Sequence, residues 1–346
     1  MKYAGLLLGL AFFAYCSPAN AQPSRDWDRT FGSPNWDEMH VATPAPGGGW
    51  LLGGNVTATG GTVSQPVFGL NDYWVVRVDE RGNKLWDKVF GGSDNDRLWS
   101  ILPLPDGTWL LGGTSSSGVS GNKTTPSRGD ADFWLLKISP DGEKLWERTF
   151  GGSGRDELFA LGQFQDGNFL LGGWSNSPVG GDKTTDSLGV YDVWTLKISP
   201  DGEQIIWQER FGGPQLDNLY DAVPTPDGGF LLGGASASGA TATKSEPCRG
   251  YSDYWVVKID EDGNREWDAR FGGPDVDQLH KILPLSDGNF LLLGASMSLV
   301  GGDRTAANRG SFDFWTVKIS PFGQKIRDNA YGGSAFDGAT AAVETR

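Results

Sequence analysis

The amino-acid sequence predicts an all-β protein, a β-propeller of five four-stranded blades closed by overlap of its termini. Two observations carry this expectation. A unit of about 60 residues is written five times, and each copy holds four short apolar runs separated by turn signals, the form of a propeller blade. No stretch shows a 3.6-residue apolar period of helical length. One blade cannot bury both of its faces, so neighbours must stack.

Each element follows from its own residues. Phe-Gly-Gly or a near copy begins at Phe31, Phe90, Phe150, Phe211, Phe271 and Tyr331, at spacings of 59, 60, 61, 60 and 60 residues. Six residues after each aromatic stands Asp37, Asp96, Asp156, Asp217, Asp277 or Asp337, where the first strand begins. Ile101–Leu104 then leads to Trp109–Leu111 across Asp106-Gly107, a tight-hairpin signal because glycine readily supplies φ > 0. The second strand carries aromatic-Leu-Leu, as in Trp50-Leu51-Leu52 and Phe169-Leu170-Leu171. The third opens with Asp-x-Trp at Trp74, Trp134, Trp194, Trp255 and Trp315, and the fourth carries Trp27, Trp86, Trp146, Trp207 or Trp267 four residues before the next anchor. Trp27–Phe31 is an extra last strand and Asp337–Glu344 a partial first one. The C-terminal copy is degenerate, with Arg327 at the Trp station and Ala339 at a Leu or Met station, which suits an exposed or displaced closing segment.

The first residues read as a leader. Lys2 gives a positive start, Leu6 to Tyr15 is apolar, and Ala19-Asn20-Ala21 has a small-x-small cleavage form. The run is shorter than the ~20 residues of a membrane span. Residues 1–21 are therefore expected to be a signal peptide and residues 22–346 a single propeller domain. Export to the periplasm or exterior of a Gram-negative-type bacterium follows, with no transmembrane segment. Of two cysteines only Cys248 would remain, so no intramolecular disulfide is expected. A net charge of −14 and a pI near 4.6 argue against nucleic-acid binding.

The motif set Phe-Gly-Gly-x-x-x-Asp, Asp-Gly-x-aromatic-Leu-Leu-Gly-Gly and Arg-Gly-x-x-Asp-aromatic-Trp-x-x-Lys-Ile resembles the repeats of bacterial exported β-propeller proteins. The likeness runs over essentially all of Trp27–Arg346. Proteins with such repeats are often labelled endoglucanase-like, and the repeat supplies no catalytic signature for that label.

Residues repeated in every unit read as scaffold: the tryptophans as packing, and the Asp of Phe-Gly-Gly-x-x-x-Asp and of Asp-x-Trp as acceptors of backbone N–H groups in turns. The long polar loops before Asp-x-Trp carry Lys123, Lys183, Lys244 and Arg304, which either bind a ligand or pair with the acidic surface. Departures from the repeat point to function. Nine residues after each anchor the units read His40, Trp99, Phe159, Tyr220 and His280; seven after, Glu38, Arg97, Glu157, Asn218 and Gln278. Trp36 and Trp174 are off-repeat aromatics expected near the same face. Aromatic platforms beside polar side chains suit a sugar. The expected function is an exported, non-catalytic binding or scaffold module, a monomer, recognising a glycan or a surface protein. A glycoside hydrolase using Glu38 as acid and Glu157 as base or nucleophile, with Asp221 in reserve, is the first alternative; a structural cell-envelope module is the second. No cofactor and no metal is expected, since two histidines 240 residues apart form no local zinc motif.

Overall fold

The computed structural model describes residues 27–241 and 243–344; the expected leader, its cleavage site and Cys16 lie outside them. The described residues form twenty strands in five four-stranded antiparallel sheets, each built from one repeat in chain order. The chain is a five-bladed β-propeller. The first strands of the blades are β1 (Asp37–Pro44), β5 (Asp96–Pro103), β9 (Asp156–Gln163), β13 (Asp217–Pro224) and β17 (Asp277–Pro284). They pack against one another in series, β1 on β5, β5 on β9, β9 on β13 and β13 on β17, so these five line the axis.

Two aromatic stations hold the blades together, as the repeat requires. The Asp-x-Trp indoles are buried, those of the second to fifth blades against the preceding sheet. The fourth-strand tryptophan is a seat for the following blade: a Cβ on Gly82, Gly142, Gly202, Gly263 or Gly323 would stand 2.5–3.3 Å from the ring of Trp27, Trp86, Trp146, Trp207 or Trp267. Those glycines lie in turns at φ of 73 to 85°, so both the turn and the close approach exclude a side chain.

The loop cations are not at the surface. Lys123, Lys183, Lys244 and Arg304 are buried over Trp134, Trp194, Trp255 and Trp315, the charge 5.3, 5.9, 5.4 and 5.9 Å from the ring centre. The Lys183 ammonium donates to Ser175 Oγ at 2.6 Å, Ser177 O at 2.9 Å and Ser187 Oγ at 2.9 Å. Each cation also faces two buried carboxylates of its own blade, Asp96 and Asp132 for Lys123, Asp156 and Asp192 for Lys183. One positive charge between two negative ones leaves a deficit in a site without water's dielectric. Burial accordingly pushes Asp132 and Asp192 up to about 6. In the first blade Val63 occupies the cation station. There burial, reinforced by the Asp96 carboxylate, pushes Asp72 up to about 7 against the opposing Phe68 N–H.

The termini complete the array at its two ends. Trp27 sits on the first blade's turn. At the other end, Asp337 N donates to Phe312 O at 2.8 Å, as Asp277 N does to Ser252 O at 2.8 Å, so the terminal copy takes the register of a further first strand. It carries Ala339 where the other first strands have Met39 or Leu, and the fifth blade has Leu293 where others have Gly, which exchanges the large and small partners. Neither terminal copy joins a sheet. At the seam the usual packing is not repeated: Met39 is 42% and Trp50 39% exposed, whereas Leu98 and Trp109 at the same stations are buried, and Tyr331 is 53% exposed where Phe90, Phe150, Phe211 and Phe271 are buried.

Replacing Lys183 by Met is expected to cost about 3 kcal/mol in urea unfolding, because Asp156 and Asp192 lose their shared cation. The fold should survive, since the first blade tolerates valine at this station. The buried carboxyls also set a pH dependence. Asp72, Asp132, Asp192 and Asp277 hold protons in the folded chain well above the 3.8 of a free carboxyl. Their contribution is complete below that value and is lost as pH rises through about 6 to 7. Lowered lysines such as Lys123, at about 8, leave this window untouched. The lowered histidines His40 and His280 oppose the trend only below 6.5. Thermal melting is expected to be higher at about pH 5 than at about pH 7.5.

Candidate ligand-binding site on the axial strands

All five residues nine positions after an anchor are β-bulges. The register between first and second strands skips His40, Trp99, Phe159, Tyr220 and His280 in turn. A bulge inserts one unpaired residue, bends the strand and re-aims its side chain. The second strands, β2 (Trp50–Val56), β6 (Trp109–Ser115), β10 (Phe169–Ser175), β14 (Phe230–Ser236) and β18 (Phe290–Ser296), make room for it. A Cβ on Gly113 would lie 1.9 Å from Arg97 O, and one on Gly173 1.8 Å from Glu157 O. The second glycine of Leu-Leu-Gly-Gly is therefore required by the close approach of the bulging backbone.

The bulged side chains meet in one continuous arc. Ring centroids are 4.3 Å apart for His40–Trp99, 5.2 Å for Trp99–Phe159, 5.4 Å for Phe159–Tyr220 and 6.0 Å for Tyr220–His280. Trp99, Phe159, Tyr220 and His280 are half-buried and His40 is more open, so the arc keeps an exposed face. Trp174 extends it, stacked on Phe159 at 6.4 Å and against Tyr191 at 4.3 Å. Trp36 does not belong: it is exposed and has no ring partner among the described residues.

The two histidines end the arc, each with its own partner. His40 Nε2 is 2.9 Å from Asn55 Nδ2 and 3.4 Å from Glu38 Oε2; His280 Nδ1 is 3.3 Å from Ala339 O. Burial lowers the pKa of both. For His40 the Glu38 carboxylate opposes this and Arg97 reinforces it; for His280 the Ala339 carbonyl opposes it. Burial likewise raises the Tyr220 phenol.

The acids are not gathered into one cleft. Glu38 faces His40 on β1. Glu157 is buried on β9 and pairs with Arg155, whose Nε lies 2.5 Å from its Oε1. Asp221 accepts from Lys281 Nζ at 2.7 Å and from Ile282 N at 2.8 Å, tying the fourth blade to the fifth. Asn218 Nδ2 donates to Tyr220 Oη at 3.2 Å. A cleft of about 160 Å³ between the second and third blades is lined by Asn95, Arg97, Thr114, Ser116, Arg155 and Glu157. Sequence reading singled out Arg97 and Glu157 but missed Arg155 and the bulge; the Gly-Gly pair facing each first strand was the available signal.

The repeated carboxylates hold turns. Asp96 Oδ2 accepts from Gly92 N at 2.7 Å and Ser117 Oγ at 2.8 Å, Asp156 and Asp277 do the same in their blades, and Asp132 Oδ2 accepts from Arg128 N at 2.5 Å. The loop-end Arg128 and Arg249 pair with Asp182 and Asp303 of the following blade. Among the described residues no group of three or more His, Cys, Asp or Glu could hold a metal ion. Cys248 is half-buried, donates to Gly250 O at 3.1 Å, and burial next to Asp253 pushes its thiol up to about 11, the reverse of a nucleophile's tuning.

Fold and site together define a repeat β-propeller whose individuality is concentrated on its axial strands. No protein-family model matches the chain. It is similar to the Regulatory protein FlaEY of Caulobacter vibrioides, 26% identical over 214 residues, which are 59% of this chain and 22% of that protein. The chain thus spans about a fifth of the length of the curated relative it matches. Among solved structures it is similar to a Bacteroides caccae protein of unknown function (13% identity, TM-score 0.43, 85% of this chain and 82% of that one). It is also similar to the WD40 domain of Neurospora crassa Pan2 (10%, TM-score 0.45, 84% and 65%).

In a proton-detected NMR titration both imidazoles are expected to have midpoints below 6.5, the value of a free histidine. A midpoint above it for either ring would contradict the burial that outweighs its partner here.

Proposed function

We propose that the protein is an exported binding propeller that recognises a glycan on the axial arc of His40, Trp99, Phe159, Tyr220 and His280, acting in the periplasm or outside the cell. The observation that carries this reading is the unbroken sequence of ring contacts made by five bulge residues. A scaffold needs no such station: the inter-blade packing is already supplied by the repeated tryptophans and leucines, which are the same type in nearly every blade. The arc residues differ from blade to blade, and they are the residues turned out of the pairing between first and second strands. Aromatic faces with a polar partner at intervals are what a sugar ring, apolar on its CH face and polar at its edge, requires. Binding is favoured over hydrolysis because Glu38 and Glu157 face different partners and share no cleft lining.

Glycan-array screening followed by calorimetry tests this. A glycan ligand is expected, with Trp99→Leu weakening it at least about tenfold, the scale of one lost aromatic contact, while the chain stays folded with a melting temperature lowered by the lost ring contacts to His40 and Phe159. An array with no bound glycan, or full affinity in Trp99→Leu, would refute the reading.

A further inference from the structure

In the cleft between the second and third blades the repeat carries two basic groups side by side, Arg97 and Arg155. At its stations the fourth and fifth blades carry Leu216, Asn218, Ala235, Val276 and Gln278. Here stand Asn95, Arg97, Thr114, Ser116, Arg155 and Glu157. The charges do not cancel. Glu157 is committed to Arg155, and Arg97 is exposed with no carboxylate at ion-pair distance among the described residues. The chain has 43 acidic and 29 basic residues, so carboxylates outnumber cations and Arg97 still has none of them beside it. Thr114 Oγ1 accepts from Leu158 N at 3.3 Å, which leaves its own proton for donation. The cleft therefore presents a free guanidinium, a second guanidinium half-neutralised by Glu157, and a hydroxyl donor, in a space of about 160 Å³.

This cleft adjoins the arc. Arg97 lies two residues before Trp99 and its charge acts on His40; Glu157 lies two before Phe159 and pairs in register with Trp174. A molecule stacked on Trp99 and Phe159 would bring substituents to Arg97. We infer that the ligand is an acidic glycan, an oligosaccharide containing uronic acid, whose carboxylate is received by Arg97 with Arg155 and Thr114 beside it. The guanidinium fork matches a carboxylate with two parallel hydrogen bonds, and neutral sugars leave that fork unsatisfied. The inference rests on the glycan-binding reading above and adds its chemical class.

The test is calorimetry of the whole chain at low salt with oligomers of galacturonate, glucuronate and mannuronate, each compared with its carboxyl-reduced neutral counterpart. At least one uronate oligomer is expected to bind about tenfold or more tighter than its neutral partner, the scale of one charge-assisted pair. The preference should shrink with added salt and vanish in Arg97→Gln, whose thermal melting should match the parent because Arg97 supports no other residue. Equal binding of acidic and neutral forms, or an undiminished preference in Arg97→Gln, would overturn the acidic-glycan assignment and leave the arc reading standing. Failure of every uronate oligomer to bind would overturn the assignment; the glycan array then decides separately whether the arc binds neutral sugars.

Discussion

The fold depends on the absence of side chains at two consecutive positions of the second strand in the first four blades and at the latter of them in the fifth. The first glycine of Leu-Leu-Gly-Gly leaves a pocket for leucine and isoleucine of the next blade: a Cβ on Gly112 would lie 2.5 Å from Leu158 Cδ2 and one on Gly233 2.6 Å from Ile282 Cδ1. The second admits the bulging backbone of the first strand. Blade stacking and the direction of the axial side chains thus come from one dipeptide. The fifth blade, which has Leu293 at the first of these positions, is followed by the small Ala339, so the rule holds through its exception.

Burial without full neutralisation is the second constraint. Two carboxylates and one cation are enclosed in each of four blades; in the first, Asp72 is enclosed without a cation and Asp37 is half-buried. Such a site gives little net stability. Its geometry nonetheless fixes where the long loop, the Phe-Gly-Gly turn and the third strand meet, since every carboxylate also accepts backbone N–H groups at that point.

Much of this was legible in the chain. The period, the strand starts at Asp37 through Asp277, the Asp-Gly turns and the scaffold role of repeated Asp and Trp all follow from local chemistry that is the same in every copy. The axial station was legible as well, because His40, Trp99, Phe159, Tyr220 and His280 break the repeat. What was hidden depends on contacts distant in sequence. Lys123 and Lys183 stand among Ser, Thr and Gly, the composition of a solvated loop, and their burial follows only from an indole 11 residues on and a carboxylate more than 20 residues back. The bulge was hidden because alternation in a single strand does not reveal an unpaired residue. Glu38 and Glu157 occupy one station, yet sharing a station places them on different blades with different neighbours.

The aromatic arc is central to the account, and ligand-induced chemical-shift mapping of the isotopically labelled chain, with the tightest-binding glycan, tests it most directly. The account predicts that the Trp99 indole N–H and the His40 and His280 ring signals move together while the loop amides around Lys123 and Lys183 stay still. Shifts confined to the loops or to the seam around Trp36 and Trp50, with the Trp99 indole unmoved, would contradict it.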